Sequence, residues 1–142
     1  IEKRWETEEI RGFNIINDSY NANPDSMKAS VSTFLELYKN PVVILGNMGE
    51  LGEDEEKFHR EVGEFLGNKF AKKNASFLVV GKLAKYIGEE LQKHGFNVNY
   101  FDNNKETSRY ILDNLHAGIT IFLKASRSMK FEEIIEYLKN NI

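Results

Sequence analysis

Apolar positions along the chain follow two alternating periods, and their alternation predicts the elements. Phe13, Ile15 and Ile16 make a short strand that turns polar at Asn17 and Asp18; Met27, Val31, Phe34, Leu35 and Tyr38 then repeat at helical spacing on a single stripe. Asn23 is a good N-cap for that helix, and Pro24 follows at its first position, where the missing N–H costs nothing. Pro41 restarts the chain into Val42-Val43-Ile44-Leu45, a continuous apolar run suited to a strand buried on both faces. The next helix spans about Asp54 to Lys72, with Phe58, Val62, Phe65, Leu66 and Phe70 as its stripe and acidic residues in its first turn, as the helix dipole favours. Ser76 to Val80 is a further buried strand, followed by a helix carrying Leu83, Ile87 and Leu91 and ended by Gly95 as its C′ residue. Asn97 to Phe101 alternates as a strand, and Asn103 with Glu106 makes a capping box for a helix with Ile111, Leu112 and Leu115. Gly118 to Leu123 is the last strand, and Phe131, Ile134, Ile135 and Leu138 stripe a closing helix with Ser128 as its N-cap. At the other end, Ile1 to Ile10 reads as an edge strand paired with the next through a turn at Arg11-Gly12.

Strands alternating with helices specify an α/β fold: a doubly wound, mainly parallel sheet with helices on both faces, in one domain over residues 1–142. Right-handed crossovers bring the ends of all the parallel strands to one rim. Three polar segments meet there: Asp18 to Asn23, Gly46 to Gly52, and Lys124 to Met129. The first sets two amides, a carboxylate and a phenol at a strand end and a helix mouth, where open α/β sheets bind ligands, although an ordinary capped loop is built from the same residues. The second has three glycines spaced by two residues, which matches neither the dinucleotide fingerprint nor a phosphate loop ending in Lys-Ser/Thr. The third clusters two cations and two hydroxyls, an anion site by composition and otherwise a basic surface turn.

Composition narrows the classes. With 41% hydrophobic and 29% charged residues the chain is neither disordered nor membrane-embedded, and a net charge of −3 argues against general nucleic-acid binding. No apolar run approaches the roughly 20 residues of a membrane span. Cysteine is absent, which removes disulfides and thiolate metal sites, and His59, His94 and His116 are too isolated to form a ligand pattern. His59 lies beside an apolar stripe with no nucleophile or carboxylate arranged about it, so it reads as a packed residue. A start at Ile1 without a signal peptide suggests a cytoplasmic domain cut from something longer.

The segment Asp18-Ser19-Tyr20-Asn21-Ala22-Asn23-Pro24 resembles the signature that opens the C-terminal domain of the Mur ligases. Further matches follow in order: Gly46-Asn47-Met48-Gly49-Glu50-Leu51-Gly52 resembles the family's Gly-Asp-Met-x-Glu-Leu-Gly, and Lys124-Ala125-Ser126-Arg127-Ser128-Met129 resembles Lys-Gly-Ser-Arg-Ser-Met. His59, Val62 and Gly63 also match. Asn47 stands where the family usually has Asp, and Ala125 where it has Gly, which matters if that position needs a positive φ. The segments at Tyr20 and at Ser126 favour the branch that adds D-alanyl-D-alanine over sister enzymes and folate polyglutamylation ligases.

The resemblance implies a Rossmann-like domain of an ATP- and Mg2+-dependent ligase that joins D-Ala-D-Ala to UDP-MurNAc-tripeptide through an acyl phosphate, in peptidoglycan precursor synthesis. Phosphate loop, magnesium ligands and catalytic groups then belong to a central domain. This chain supplies one wall of the cleft, binds no cofactor alone and is inactive alone. It implies nucleotide contacts from Arg4, Asp18, Tyr20, Asn21 and Asn23, with Arg4 reaching the phosphates through its planar fork. Lys124, Ser126, Arg127 and Ser128 are assigned to the dipeptide carboxylate, with sharing of Lys124 with phosphate left open, and Asn47 and Glu50 are candidate cleft-lining residues. Two other α/β readings compete. A receiver-like signalling module would use Asn17-Asp18 and Lys124, but it needs an acceptor Asp where Gly46-Asn47 or Gly81 stands. A nicotinamide-binding domain lacks its glycine fingerprint.

Overall fold

The structure, a computed structural model, describes Trp5 and residues 7–141. The predicted alternation is realised as β1 (Thr7–Ile10), β2 (Phe13–Asn17), α1 (Pro24–Leu37), β3 (Val42–Gly46), α2 (Glu55–Lys69), β4 (Ser76–Val80), α3 (Ala84–Lys93), β5 (Asn97–Phe101), α4 (Asn104–Asn114), β6 (Thr120–Lys124) and α5 (Glu132–Asn140). Short 3-10 turns precede α2, at Gly52–Asp54, and α5, at Arg127–Met129. The strands form one sheet in the order β1-β2-β6-β3-β4-β5. β1 pairs antiparallel with β2, and every other pair is parallel. Arg11, at φ 53, and Gly12, at φ 84, turn the opening hairpin where the sequence places it.

Period-two alternation in the central strands divides the core between the two faces. Ile16, Val43, Leu45, Phe77, Val79 and Phe122 face α1, α2 and α3. Ile15, Ile44, Leu78, Val80, Ile121 and Leu123 face α4 and α5. Phe34 of α1 stacks on Phe122 at 4.9 Å between ring centroids, and Trp5 meets Phe122 edge-on at 5.1 Å. Burying a ring of this kind contributes about 1.5–3 kcal/mol, so this cluster ties Trp5 to α1 and β6. Helices α2 and α3 approach at Gly63, where a Cβ would lie 2.4 Å from the Ile87 carbonyl oxygen. Only glycine permits that contact.

Helix ends follow local chemistry. Asn23 caps α1 as a full capping box: its Oδ1 accepts from the Ser26 N–H at 2.8 Å, and its own N–H donates to Ser26 Oγ at 3.1 Å. At the end of α3, Gly95 (φ 89) is the C′ residue; its N–H donates to the Gln92 carbonyl and that of Phe96 to Leu91, a Schellman arrangement. Asn103 accepts from the Glu106 N–H at 2.9 Å. Glu106 reaches back to the N–H of Asp102, one residue before the cap, so the predicted box is half formed.

Several boundaries differ from the sequence reading. Ser128 is not the N-cap of α5: it lies in the 3-10 turn, Lys130 reverses the chain at φ 53, and α5 starts after Phe131. Phe65 projects from the α2 stripe and is 38% exposed, because α1 covers only part of that face. Tyr38 packs on the core from just beyond α1 instead of within it.

Candidate functional site

Strand order decides where a ligand can enter. The connection β2–α1–β3 passes over β6, and the later path β5–α4–β6 returns to fill the gap. The chain leaving β2 and β3 turns to the face of α1 and α2, whereas the chain leaving β6 turns to the opposite face with α5. Loops that diverge from neighbouring parallel strands leave a crevice beyond their C-terminal ends, the position at which doubly wound sheets take ligands. All three polar segments flank this crevice, as the sequence pattern predicts.

After β2, the Asp18 N–H continues the ladder to the Leu123 carbonyl at 2.8 Å. Asn17 Oδ1 accepts from the Ser19 N–H at 3.1 Å and from the Ser19 hydroxyl, folding the loop back on itself. Tyr20 is thereby thrown outward, 74% exposed, while Ala22 is buried beneath the loop. Asn21 is exposed, and the Asn23 side chain is engaged as the α1 cap.

After β3, Gly46 gives room for β6: a Cβ there would lie 2.7 Å from Ala125 Cβ and 2.8 Å from Phe131. Ala125 is fully buried and has no positive φ, so its methyl is accommodated without a loop shift. Asn47 does not reach the crevice with its side-chain oxygen. Oδ1 accepts from the N–H groups of Leu83 at 3.0 Å and Ala84 at 2.8 Å, capping α3 from another strand. Met48 is buried, and its N–H donates to His59 Nε2 at 2.9 Å. His59 Nδ1 faces the Glu55 carbonyl at 2.6 Å and donates to it, so the ring is the neutral tautomer with Nε2 as acceptor. Burial lowers the His59 pKa, and the Glu55 carbonyl and carboxylate only partly oppose this. The expected packing role is met, with a further duty that spacing alone did not reveal: His59 clamps the loop. Glu50 projects from that loop, exposed and in the left-handed region at φ 58.

After β6, the Ser126 N–H donates to the Asn47 carbonyl at 2.9 Å, joining the second and third segments. The hydroxyls of Ser126 and Ser128 lie 2.9 Å apart. Arg127 is exposed, with its guanidinium 5.1 Å from the centre of the Tyr20 ring. Lys124 is buried under the first segment and hydrogen-bonded to Asp18 and Asn21. Two clefts share Arg127. One, of about 370 Å³, is lined by Asn21, Ala22, Gly49, Glu50, Ser126, Arg127 and Ser128. The other, of about 300 Å³, is lined by Asn17, Ser19, Tyr20, Arg127 and Glu132. Glu132 lies beyond the three segments and carried no chemical signal in the sequence, and Ala22 and Gly49 carried none as individual contacts; apposition makes all three lining residues. Arg4 lies outside the described residues. Among the described residues no group of three His, Cys, Asp or Glu side chains could hold a metal ion, and no helix is long and apolar enough to cross a membrane.

A doubly wound sheet with a polar crevice at its switch point, bordered by carboxylates, amides, hydroxyls and an exposed guanidinium, has the architecture of an α/β ligand-binding domain. Residues 3–127 match the family model described as Mur ligase, glutamate ligase domain, and the chain belongs to that family. Among curated proteins it is similar to the UDP-N-acetylmuramoyl-tripeptide–D-alanyl-D-alanine ligase of Bacillus subtilis (strain 168), 39% identical over 131 residues, covering 89% of this chain and 28% of that protein. The ligase of the same description from Escherichia coli (strain K12) is 34% identical over 131 residues, covering 89% of this chain and 27% of that protein. The chain thus spans little more than a quarter of the length of these relatives. Among solved structures, the fold is similar to MurF ligase from Thermotoga maritima in complex with ADP, with a TM-score of 0.73 at 23% identity over 98% of this chain and 31% of that one. It is also similar to MurF from Acinetobacter baumannii, with a TM-score of 0.77 at 23% identity over 97% of this chain and 30% of that one.

Proposed function

We propose that this chain is the C-terminal domain of a longer ATP-dependent ligase that adds D-alanyl-D-alanine to UDP-N-acetylmuramoyl-tripeptide, acting in the cytoplasm on precursors of peptidoglycan. The observation that carries this reading is the meeting of the Asp18–Asn23 and Ser126–Ser128 segments at one crevice with Arg127 between them. The names of the curated relatives supply the reaction.

Three substrates, each bearing phosphate or carboxylate, must be brought together in this chemistry. The tripeptide carboxylate attacks the γ-phosphorus of ATP, giving an acyl phosphate and releasing ADP; the dipeptide amine attacks its carbonyl carbon, an amide forms, and phosphate and the amine's proton leave. The residues here suit binding and orientation. Asp18, part-exposed, can accept from ribose hydroxyls, with Tyr20 and Asn21 beside it and Asn23 fixing the start of α1 as its cap; the family resemblance assigns the phosphates to Arg4, which lies outside the described residues. Arg127, with the hydroxyls of Ser126 and Ser128, can neutralise the free carboxylate of the dipeptide, and Glu50 borders the same cleft. Magnesium accompanies ATP in the full-length enzyme.

The test uses the full-length enzyme and D-Ala-D-Ala-dependent phosphate release. Arg127→Ala should raise the dipeptide KM by about ten- to a hundredfold, the equivalent of one lost charge-assisted hydrogen bond of roughly 1.5–3 kcal/mol, with a smaller change in the ATP KM. A wild-type enzyme that releases no phosphate in response to the dipeptide refutes the reading. A rise in the ATP KM alone would move Arg127 to the nucleotide.

A further inference from the structure

Lys124 combines a full charge with near-complete burial. It closes β6, and its side chain falls on the same face as Phe122, towards α1 and beneath the Asp18–Asn23 loop. Its side chain is 4% exposed, whereas that of its partner Asp18 is 20% exposed. Nζ lies 3.1 Å from Asp18 Oδ2, 3.0 Å from the Asn21 carbonyl oxygen and 3.5 Å from the Asp18 carbonyl oxygen. An ammonium group has three protons and accepts nothing, so these three oxygens engage all of its donors. None is left to point into the cleft lined by Ser126, Arg127 and Ser128.

Burial makes this pairing obligatory. Removing a cation from water costs several kcal/mol and is offset only by close, hydrogen-bonded oxygens, which the loop supplies from a carboxylate and two carbonyls. The loop is fixed in return. Without Lys124, Asp18 would keep its place in the ladder through its N–H but lose this donor to its carboxylate, and the Asn21 carbonyl would lose the same donor.

We propose that Lys124 is a positioning residue for the nucleotide wall, holding the Asp18 carboxylate and the Asn21 backbone in place, and does not itself touch the dipeptide. This rests on the reading that the Asp18–Asn23 segment faces ATP. It deepens that reading by tying the motif at the end of β6 to nucleotide binding through β2. Arg127 then remains the exposed cation of its segment for the dipeptide carboxylate.

The experiment measures both KM values on the full-length enzyme carrying Lys124→Met, which keeps the aliphatic stem and removes the charge, with the melting temperature checked alongside. The expected result is an ATP KM raised about tenfold or more and a dipeptide KM within about twofold of wild type. Lys124→Gln, which can still donate to one carbonyl, should recover part of the loss, and the same comparison applies to it should the Met variant fail to fold. A dipeptide KM that rises alone, a parallel rise in both, or no change in either overturns the assignment. These outcomes are distinct from failure of the ligase reading, which is read on the wild-type enzyme as the absence of dipeptide-dependent phosphate release.

Discussion

His59 illustrates how one residue holds a site it never touches. Its ring joins the Glu55 carbonyl of α2 to the Met48 N–H in the loop after β3, so the loop bordering the crevice is anchored to the helix that follows it. The bond requires a neutral ring, and burial enforces it by lowering the pKa. The sign follows: a histidine whose folded pKa lies below its unfolded value of 6.5 contributes stability that is full above that pH. The contribution is lost as the pH falls through the lowered native value. His59→Gln should destabilise the domain by roughly 1–3 kcal/mol at pH 7, the cost of leaving a buried donor poorly paired. Thermal melts from pH 7.5 downwards should show the gap between wild type and variant narrowing on acidification. A gap that stays constant with pH would exclude titration of His59 from the stability of the fold.

At the scale of elements, the Asn47 position joins two units that sequence spacing keeps apart. Helix α3 has no side-chain cap of its own at Leu83; the amide oxygen of Asn47, at the end of β3, accepts from its first N–H groups. That role needs an acceptor and not a charge, so the change from the family's Asp is conservative here. A carboxylate at that position would also meet the positive end of the α3 dipole. Asn47→Asp should therefore leave stability unchanged or raise it by roughly 0.3–1 kcal/mol. Asn47→Ala should cost about 1–2 kcal/mol, which lowers the melting temperature by roughly 2–4 °C per kcal/mol in a chain of this size. Equal melting temperatures for the Ala variant and wild type would contradict the capping role. Between α2 and α3, Arg60 adds a second tie, reaching Glu89 at 3.0 Å and Glu90 at 2.8 Å across the helices while Glu56, at 2.9 Å on its own helix, holds it in place. Burial alone would push the Glu90 carboxyl up, but hydrogen bonds from Lys93 and Arg60 outweigh it and hold the pKa below the ordinary value.

For the whole molecule, the crevice is open, and its two clefts, of about 370 and 300 Å³, are each bordered by short stretches of loop. A nucleotide laid on one such wall makes a fraction of the contacts that two closing domains would give it. The chain by itself should then bind ATP at about millimolar Kd or weaker, roughly −4 kcal/mol, by titration calorimetry. Micromolar binding by this chain alone would mean that the nucleotide site is self-contained and that the two-walled reading is wrong.

Much of the fold was legible in the chain because strand and helix periods are local properties. The buried runs at Val42 and Ser76, the Asn23 cap and the Gly95 stop each follow from residues within a turn or two of one another. The gathering of three polar segments on one rim also followed, since parallel strands joined by crossovers must end on the same side. The start of α5 was missed because the left-handed turn at Lys130, a residue type that seldom takes that conformation, delays it beyond Ser128. What each polar side chain does there was a matter of tertiary structure. Lys124, Asn47 and His59 all read as site or packing residues from their neighbours in sequence, yet their partners are Asp18, Ala84 and Met48. Local sequence determines which backbone an element adopts; strand order determines which donors and acceptors from distant segments come within 3 Å, and only burial there makes each pairing obligatory.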